Sequence, residues 1–489
     1  MTMKFTLASL ALLFLVPFSA VAQSSYCGTP PGRSEWLQRY QQDKSAFQTR
    51  SSDILYIPLT IHLVGSDEGE GYLPMPTLLE AVCTINEDFV PANIQFFIEG
   101  DIRYIDNDNY FDHNFQQGFQ MMQSNNVPNT VNCYFVSSPA GNCGYYSPGG
   151  NAVAMAKSCS GPGDHTWSHE LGHFFSLPHT FSGWEGTDYS PADPTPAFVN
   201  NRQVERVDGS NCANSGDGFC DTPADYLSYR WNCNGQGQSN VQQRDPVDSL
   251  FRSDGSLFMS YSNDGCMNRF SNEQIEAMRA NINFQRPGLL YDQSAPVYLD
   301  TTSVTVISPA EGEIIEGAGG VTLSWEPFPN AIGYAVDLDL FIPVTQGSIN
   351  FRTYGTSTNS ITLTDLQPNR TYLWRVQPYG KYDACTSPGM PSTFSVGTLT
   401  TTREEGIESQ TQIFPQPLKQ GEDLNIQLGQ APIGTVNVQI SNTAGQAVRN
   451  YALQGQRTLQ CSTAGLATGL YVVRISGQGL SDVHKLLIK

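Results

Sequence analysis

Hydrophobic positions change their period along this chain, and the changes mark its elements. ILYIPLTIHLVG, residues 54–65, is mostly apolar and β-branched and stops at Gly65, the pattern of a buried strand. TLLEAVCTINEDFV, residues 77–90, sets Leu78, Val82, Ile85 and Val90 near one face of a helix. NIQFFIEGDIRYI returns to strand, and VNCYFVSS and NAVAMAKSC are shorter strands. DHTWSHELGHFFSL, residues 164–177, reads as a helix with Asp164 or Thr166 as N-cap. Gly, Asn, Asp and Pro dominate from about 183 to 257 and predict loops. SNEQIEAMRANINF closes this part as a helix, with Ser271 and Gln274 in capping-box spacing. Strands, helices and loops sharing one stretch predict an α+β domain over residues 51–292.

Beyond residue 295 the period becomes two. VTLSWEPF, YAVDLDLF, SITLTDL, TYLWRVQPY and STFSVG alternate between turns, which predicts a β-sandwich over 300–400. TTREEGIESQT is a polar linker, and residues 412–489 are again strand-patterned. At the other end, residues 1–22 carry Lys4, an apolar run from Leu7 to Phe18 and Ala20-Val21-Ala22. That is a signal peptide whose removal would leave a chain starting at Gln23. The apolar run is too short to span a bilayer, and no later segment is apolar enough.

Composition then narrows the function. A net charge of −20 argues against nucleic acid or an anionic membrane surface as partner. Eleven cysteines in an exported chain predict disulfides, and the odd number leaves at least one over. The pairing of Cys83, Cys133, Cys143 and Cys159 stays open at this stage.

The chemistry concentrates in HELGHFFSLPHTF. Four of the chain's seven histidines fall between residues 165 and 179. Positions i and i+4 share a helix face, so His169 and His173 can offer two imidazole nitrogens to one ion. His179 reaches the same ion only if the helix ends after His173 and the chain turns back. Ser176 stands at that turn, where glycine would take a positive φ freely, so strain or an altered turn is expected. Three neutral ligands leave a zinc ion one open position for water, whose pKa the ion lowers to about 7. Glu170, next to the first ligand, can act as general base. His165 fits no ligand position and reads as a solvent-facing or supporting histidine.

HELGHFFSLPHTF resembles the extended zinc motif of the metzincin proteases, with Ser176 as its departure. SLFMSYSNDGC resembles their methionine turn, with Met259 as floor and Tyr261 two residues on. With GDGFCDTPAD between them, residues 51 to 290 resemble the pappalysin family of metzincins. The resemblance implies a twisted mixed sheet with an active-site helix, and catalysis by Glu170 and Tyr261 around zinc held by His169, His173 and His179. It implies disulfides Cys220–Cys266 and Cys212–Cys233, and calcium near Asp208, Asp217 and Asp221. It places Asp264 at the base of the S1′ pocket, which implies cleavage before Arg, and less well before Lys. SYCGTPPG resembles the family's pro-segment switch, in which the thiolate, here of Cys27, fills the open zinc position. Residues 23–50 would then be a pro-segment, and self-cleavage at Thr49–Arg50 would fit the Arg preference. GGNAVAMAKSC is expected to be an edge strand able to pair with a peptide.

LSWEP and LQPNRTYLWRV resemble a fibronectin type III domain, with Trp325 in its core and Tyr372 at its corner. FPQPL, LNIQL, VQISNTAGQAV, LATGLYVVRI and HKLLIK resemble the C-terminal sorting domain of the type IX secretion system, although Gln416 stands where that family more often has Asn. This implies a bacterium with two membranes, partnership with the type IX machinery and release or attachment at the cell surface. The expected whole is a secreted zinc endopeptidase acting on proteins or peptides, followed by two all-β sandwich domains. The alternative is an inert surface adhesin binding through the fibronectin-like module, which only Ser176 favours.

Overall fold

The computed structural model describes residues 25–48, 53–299, 304–316, 320–341, 352–397, 411–429, 432, 434–442, 446–477 and 480–489. The expected signal peptide and the Thr49–Arg50 bond lie outside them. The chain forms two compact units, Met1–Thr398 and Leu399–Lys489. The secondary structure is mixed, with many strands and few helices.

The first unit is built on a seven-stranded sheet. Its strands are β1 (Ser25–Cys27), β2 (Leu55–Gly65), β3 (Ile94–Ile98), β4 (Arg103–Asp106), β5 (Val131–Val136), β6 (Asn142–Ser147) and β7 (Ala152–Ala156). They lie in the order β1-β6-β7-β5-β2-β3, and β4 pairs β2 beyond β3. All pairings are parallel except β6 with β7, so the sheet is mixed. The apolar run of β2 is explained by its central place, where it is covered on both faces.

Two helices read from the sequence form close to their expected bounds. One is α2 (Met75–Asp88), which buries Leu78, Leu79, Val82 and Ile85. Val90 lies past its end and is 66% exposed, because Phe89 ends the helix and Pro91 follows in a 3-10 turn. The other is the Ser271-capped helix Asn272–Ala280, whose capping box with Gln274 is formed. A short N-terminal helix, α1 (Glu35–Gln42), is capped by Ser34 and buries Trp36, Leu37 and Tyr40.

One sequence expectation is corrected here. NAVAMAKSC is internal, since β7 lies between β6 and β5. All its strand residues are buried. The edge belongs to β6, and the N-terminal strand β1 covers it.

The same unit contains a β-sandwich of a three-stranded and a five-stranded sheet between residues 306 and 396. Trp325 and Tyr372 are buried, and the Tyr372 hydroxyl accepts a 2.7 Å bond from Gln367 N, closing the corner. A disulfide, Cys83–Cys385, joins α2 to this sandwich. The second unit has a three-stranded and a four-stranded sheet around Leu424, Ile426, Val438, Ile440 and Val473.

Candidate metal centre and active site

The histidine-bearing helix, α3, spans Thr166–Phe174, and every residue of it is buried. His165 takes the N-cap position, while Asp164 accepts a 2.8 Å bond from Thr166 N. His165 also holds Asp88 at 2.8 Å and so supports the helix start. After Phe174 the chain reverses. Leu177 N donates to Gly172 O and Ser176 N to His173 O, both at 2.9 Å. Ser176 sits at φ +77°, so it adopts the left-handed turn that glycine would favour. Its hydroxyl accepts a 2.9 Å bond from the Asn281 amide, which holds it there.

The turn returns His179 to the helix. His173 Nε2 lies 3.1 Å from both His169 Nε2 and His179 Nε2. The opposite nitrogens are committed: His169 Nδ1 to Phe258 O at 2.6 Å, and His173 Nδ1 to Leu177 O at 2.7 Å. His179 Nδ1 faces Glu185 at 3.5 Å. A carbonyl oxygen only accepts, so the first two Nδ1 atoms carry protons and their Nε2 lone pairs face inward. Burial, with neighbouring histidines adding to it, pushes His169 and His173 well below the usual imidazole pKa. Neutral lone pairs crowded on one point, with no proton between them, fit a cation and little else.

Met259 lies under the helix, and Gly172 makes room for it. A Cβ at Gly172 would come within 2.4 Å of Met259 Sδ. The His179 segment is fastened to this turn by Thr180 N donating to Met259 O at 3.1 Å. Asp225, which the sequence reading passes over, completes the fastening. It accepts from Thr180, Ser260 and Ser253 hydroxyls at 2.6–2.8 Å and from Leu227 N at 3.1 Å. GDGFCDTPAD ends on this aspartate, the one signal that could have found it.

The N-terminal strand enters the histidine cluster. Strand β1 pairs with β6, Cys27 opposite Gly144, and Gly28 N donates to Gly144 O at 2.9 Å. Cys27 Sγ comes within 3.6 Å of His173 Nε2. Cys27 and the three histidines present ligand atoms all within 4.8 Å of one another. Burial first, then the Glu170 carboxylate, pushes the Cys27 thiol pKa well up. Thr29, also missed from sequence, donates to Glu170 Oε2 at 2.8 Å and accepts from Tyr146 N at 2.8 Å. Burial raises Glu170 to about 7, against the hydrogen bonds from Cys27 and Thr29. Tyr261 is buried beside His169 and His179, with its hydroxyl 3.5 Å from Cys27 O.

Two expectations fail in this geometry. The disulfides are Cys212–Cys220 and Cys233–Cys266, not Cys220–Cys266 and Cys212–Cys233. The physical reason is local. A 3-10 turn at Cys212–Asn214 folds the loop back onto Cys220, and backbone bonds Trp231–Tyr261 and Asn263–Trp231 set Cys233 beside Cys266. The calcium candidates do not gather. Asp208 is exposed and holds Ser210 N, Asp221 holds Ser271 Oγ and Glu273 N, and Asp217 is buried with Thr222 and Phe219 N. Asp264 is held by Arg230 at 2.6 Å and accepts from His165 N at 3.0 Å.

Residues 412–489 match a secretion system C-terminal sorting domain. The chain is a secreted or cell-surface-attached protein of the type IX export route. No described helix is long and apolar enough to cross a membrane. An extracellular metalloprotease of Pyricularia oryzae is 28% identical over 179 residues, 33% of this chain. This chain spans 63% of that relative's length. An extracellular metalloprotease of Verticillium alfalfae is 26% identical over 47% of this chain and 77% of its own. One from Podospora anserina is 25% identical over 55% of this chain and 94% of its own. Among solved structures, the fibronectin(III)-like modules of Clostridium thermocellum CbhA are 12% identical over 38% of this chain and 94% of theirs, with a TM-score of 0.16.

Proposed function

We propose that the chain is a secreted zinc endopeptidase of the metzincin type, pappalysin-like, stored as a zymogen. One observation carries this reading: three buried Nε2 atoms converge on a point beside a buried glutamate. His169, His173 and His179 would hold the ion. Bound zinc would supply Lewis acidity toward a peptide carbonyl and make water acidic enough to ionise near neutral pH. Glu170 takes a proton from the attacking water and returns it to the leaving amine. The Tyr261 hydroxyl is placed to steady the carbonyl oxygen as charge builds on it. In the zymogen, Cys27 stands on the fourth side of the histidines and Thr29 occupies Glu170, so both working groups are covered by one strand.

The domain reading is a pro-segment over 23–50, a protease domain over 51–292, a fibronectin-like domain over 300–400 and a sorting domain over 412–489. The adhesin alternative loses its support, since Ser176 is accommodated without displacing His179. The test is peptide cleavage by the zinc-loaded chain freed of its pro-segment, beside the Glu170→Ala protein. Cutting by the wild type alone, abolished by a chelator and restored by zinc, supports the reading. No cutting by folded, zinc-loaded protein sinks it. Glu170→Ala protein that still matures when expressed alone would rule out self-cleavage.

A further inference from the structure

The pocket expected to take a substrate arginine already holds an aromatic ring. Tyr26, one residue before Cys27, is carried by the same strand and is buried. Its ring lies 3.8 Å beneath the Arg230 guanidinium. Its edge contacts run to His169 at 5.2 Å and Tyr261 at 5.1 Å, between ring centroids. Its hydroxyl is 3.9 Å from Met267 Sδ. The pro-segment therefore seats a tyrosine side chain directly beside the metal ligands.

Arg230 belongs to the body of the protein and is fixed there. Its guanidinium holds Asp264 at 2.6 Å and donates to the Ser262 carbonyl. The next residue, Trp231, is bonded to Tyr261 O and Asn263 N on the methionine turn, and Cys233–Cys266 closes the same pair of segments. None of these ties involves the pro-segment, so Arg230 stays when it leaves. Asp264 then has one oxygen on Arg230 and the other on His165 N. The second acid near the ring, Asp164, is engaged with Thr166 N. A substrate guanidinium would meet a like charge across the pocket and carboxylates already engaged. An aromatic face would meet a cation placed to stack on it.

We propose that Arg230 is the specificity-determining residue of this pocket, which selects an aromatic side chain of the peptide substrate over Arg or Lys. This rests on the endopeptidase reading and on the pocket serving the residue after the scissile bond. The experiment compares two quenched peptides differing only there, Tyr against Arg, on the zinc-loaded chain without its pro-segment. In parallel, calorimetry measures binding of the pro-segment peptide Ser25–Gly32, and of its Tyr26→Arg version, to the Glu170→Ala chain. Wild type is expected to favour the tyrosine peptide in kcat/KM, and the unsubstituted peptide in Kd, by on the order of tenfold, the size of one desolvated cation–π contact. Arg230→Ala, or Arg230→Gln if the first folds poorly, is expected to erase that gap or reverse it toward Arg. Equal or better cleavage and binding of the Arg versions by wild type would overturn the proposal. Binding preference without any cleavage would support the pocket while counting against the peptidase reading alone.

Discussion

Ser176 shows how one residue can break a motif and keep the site. Its φ of +77° costs a non-glycine residue on the order of 1 kcal/mol, and its bond from Asn281 returns a similar amount. Ser176→Gly is therefore expected to leave stability nearly unchanged, since relief of strain offsets the lost bond. Ser176→Ala keeps the strain and loses the bond, and is expected to cost about 1–2 kcal/mol in urea denaturation. A second residue-scale case is Glu205. Burial, then Asp217 and Asp225, push its carboxyl up to about 9, with Arg33 opposing, while burial lifts Asp217 to about 7. The folded state thus keeps protons that the unfolded state releases above about pH 4.5. Stability from these groups is full below that pH and is lost as pH rises toward 9. Glu205→Gln is expected to flatten this fall and to raise stability at pH 8 by at least about 1 kcal/mol, measured as denaturation midpoints between pH 5 and 9. At this scale the histidine cluster was legible because one helix period sets two of its members. Tyr26, Arg230 and Asp225 were not, because loops far apart in sequence bring them together and no local pattern marks them.

At the scale of elements, the proposed pro-segment docks by a strand and a helix together. Strand β1 alone offers three residues of pairing, too little to hold the segment in place. Helix α1 adds Trp36, Leu37 and Tyr40 to the core, and Arg33 binds the carbonyls of Ala213 and Asn214. Leu37→Ala is expected to weaken docking by about 2–4 kcal/mol and to speed loss of the pro-segment at least tenfold. An added protease and mass analysis of the products check this, and an unchanged rate would mean the helix is not part of the latch. The misassigned edge strand has a physical reason. NAVAMAKSC is strongly apolar because it is covered on both faces, which marks an interior strand. The true edge, NCGYYS, is mixed in polarity, so its pattern is weak. Gly144 within it is needed, since a Cβ there would come within 2.8 Å of Glu170 Cγ.

At the scale of the molecule, the change of period near residue 295 marks a change of architecture within one compact unit rather than a loose joint. Lys381 of the sandwich reaches Asp292 at 2.8 Å and Glu99 at 3.2 Å, and its carbonyl accepts from Ile98 N at 2.9 Å. Tyr382 packs on Phe97 and Tyr56. Cys83–Cys385 locks this face across 302 residues of sequence. A cross-link of that span restricts the unfolded chain by up to about 5 kcal/mol in the loop-entropy account, less where the other disulfides already shorten the loop. Cys83→Ser with Cys385→Ser is expected to lower the denaturation midpoint and to split one unfolding transition into two. The sandwich should then melt apart from the α+β part, as followed by calorimetry. The proposed metal ligands lie on α3 and the turn after it, outside this face, so zinc binding by the native double variant should persist. A single unshifted transition would mean that the ion pairs and the aromatic contacts hold the two parts without the disulfide. Loss of zinc binding in protein that is still folded would mean that the sandwich helps to shape the metal centre.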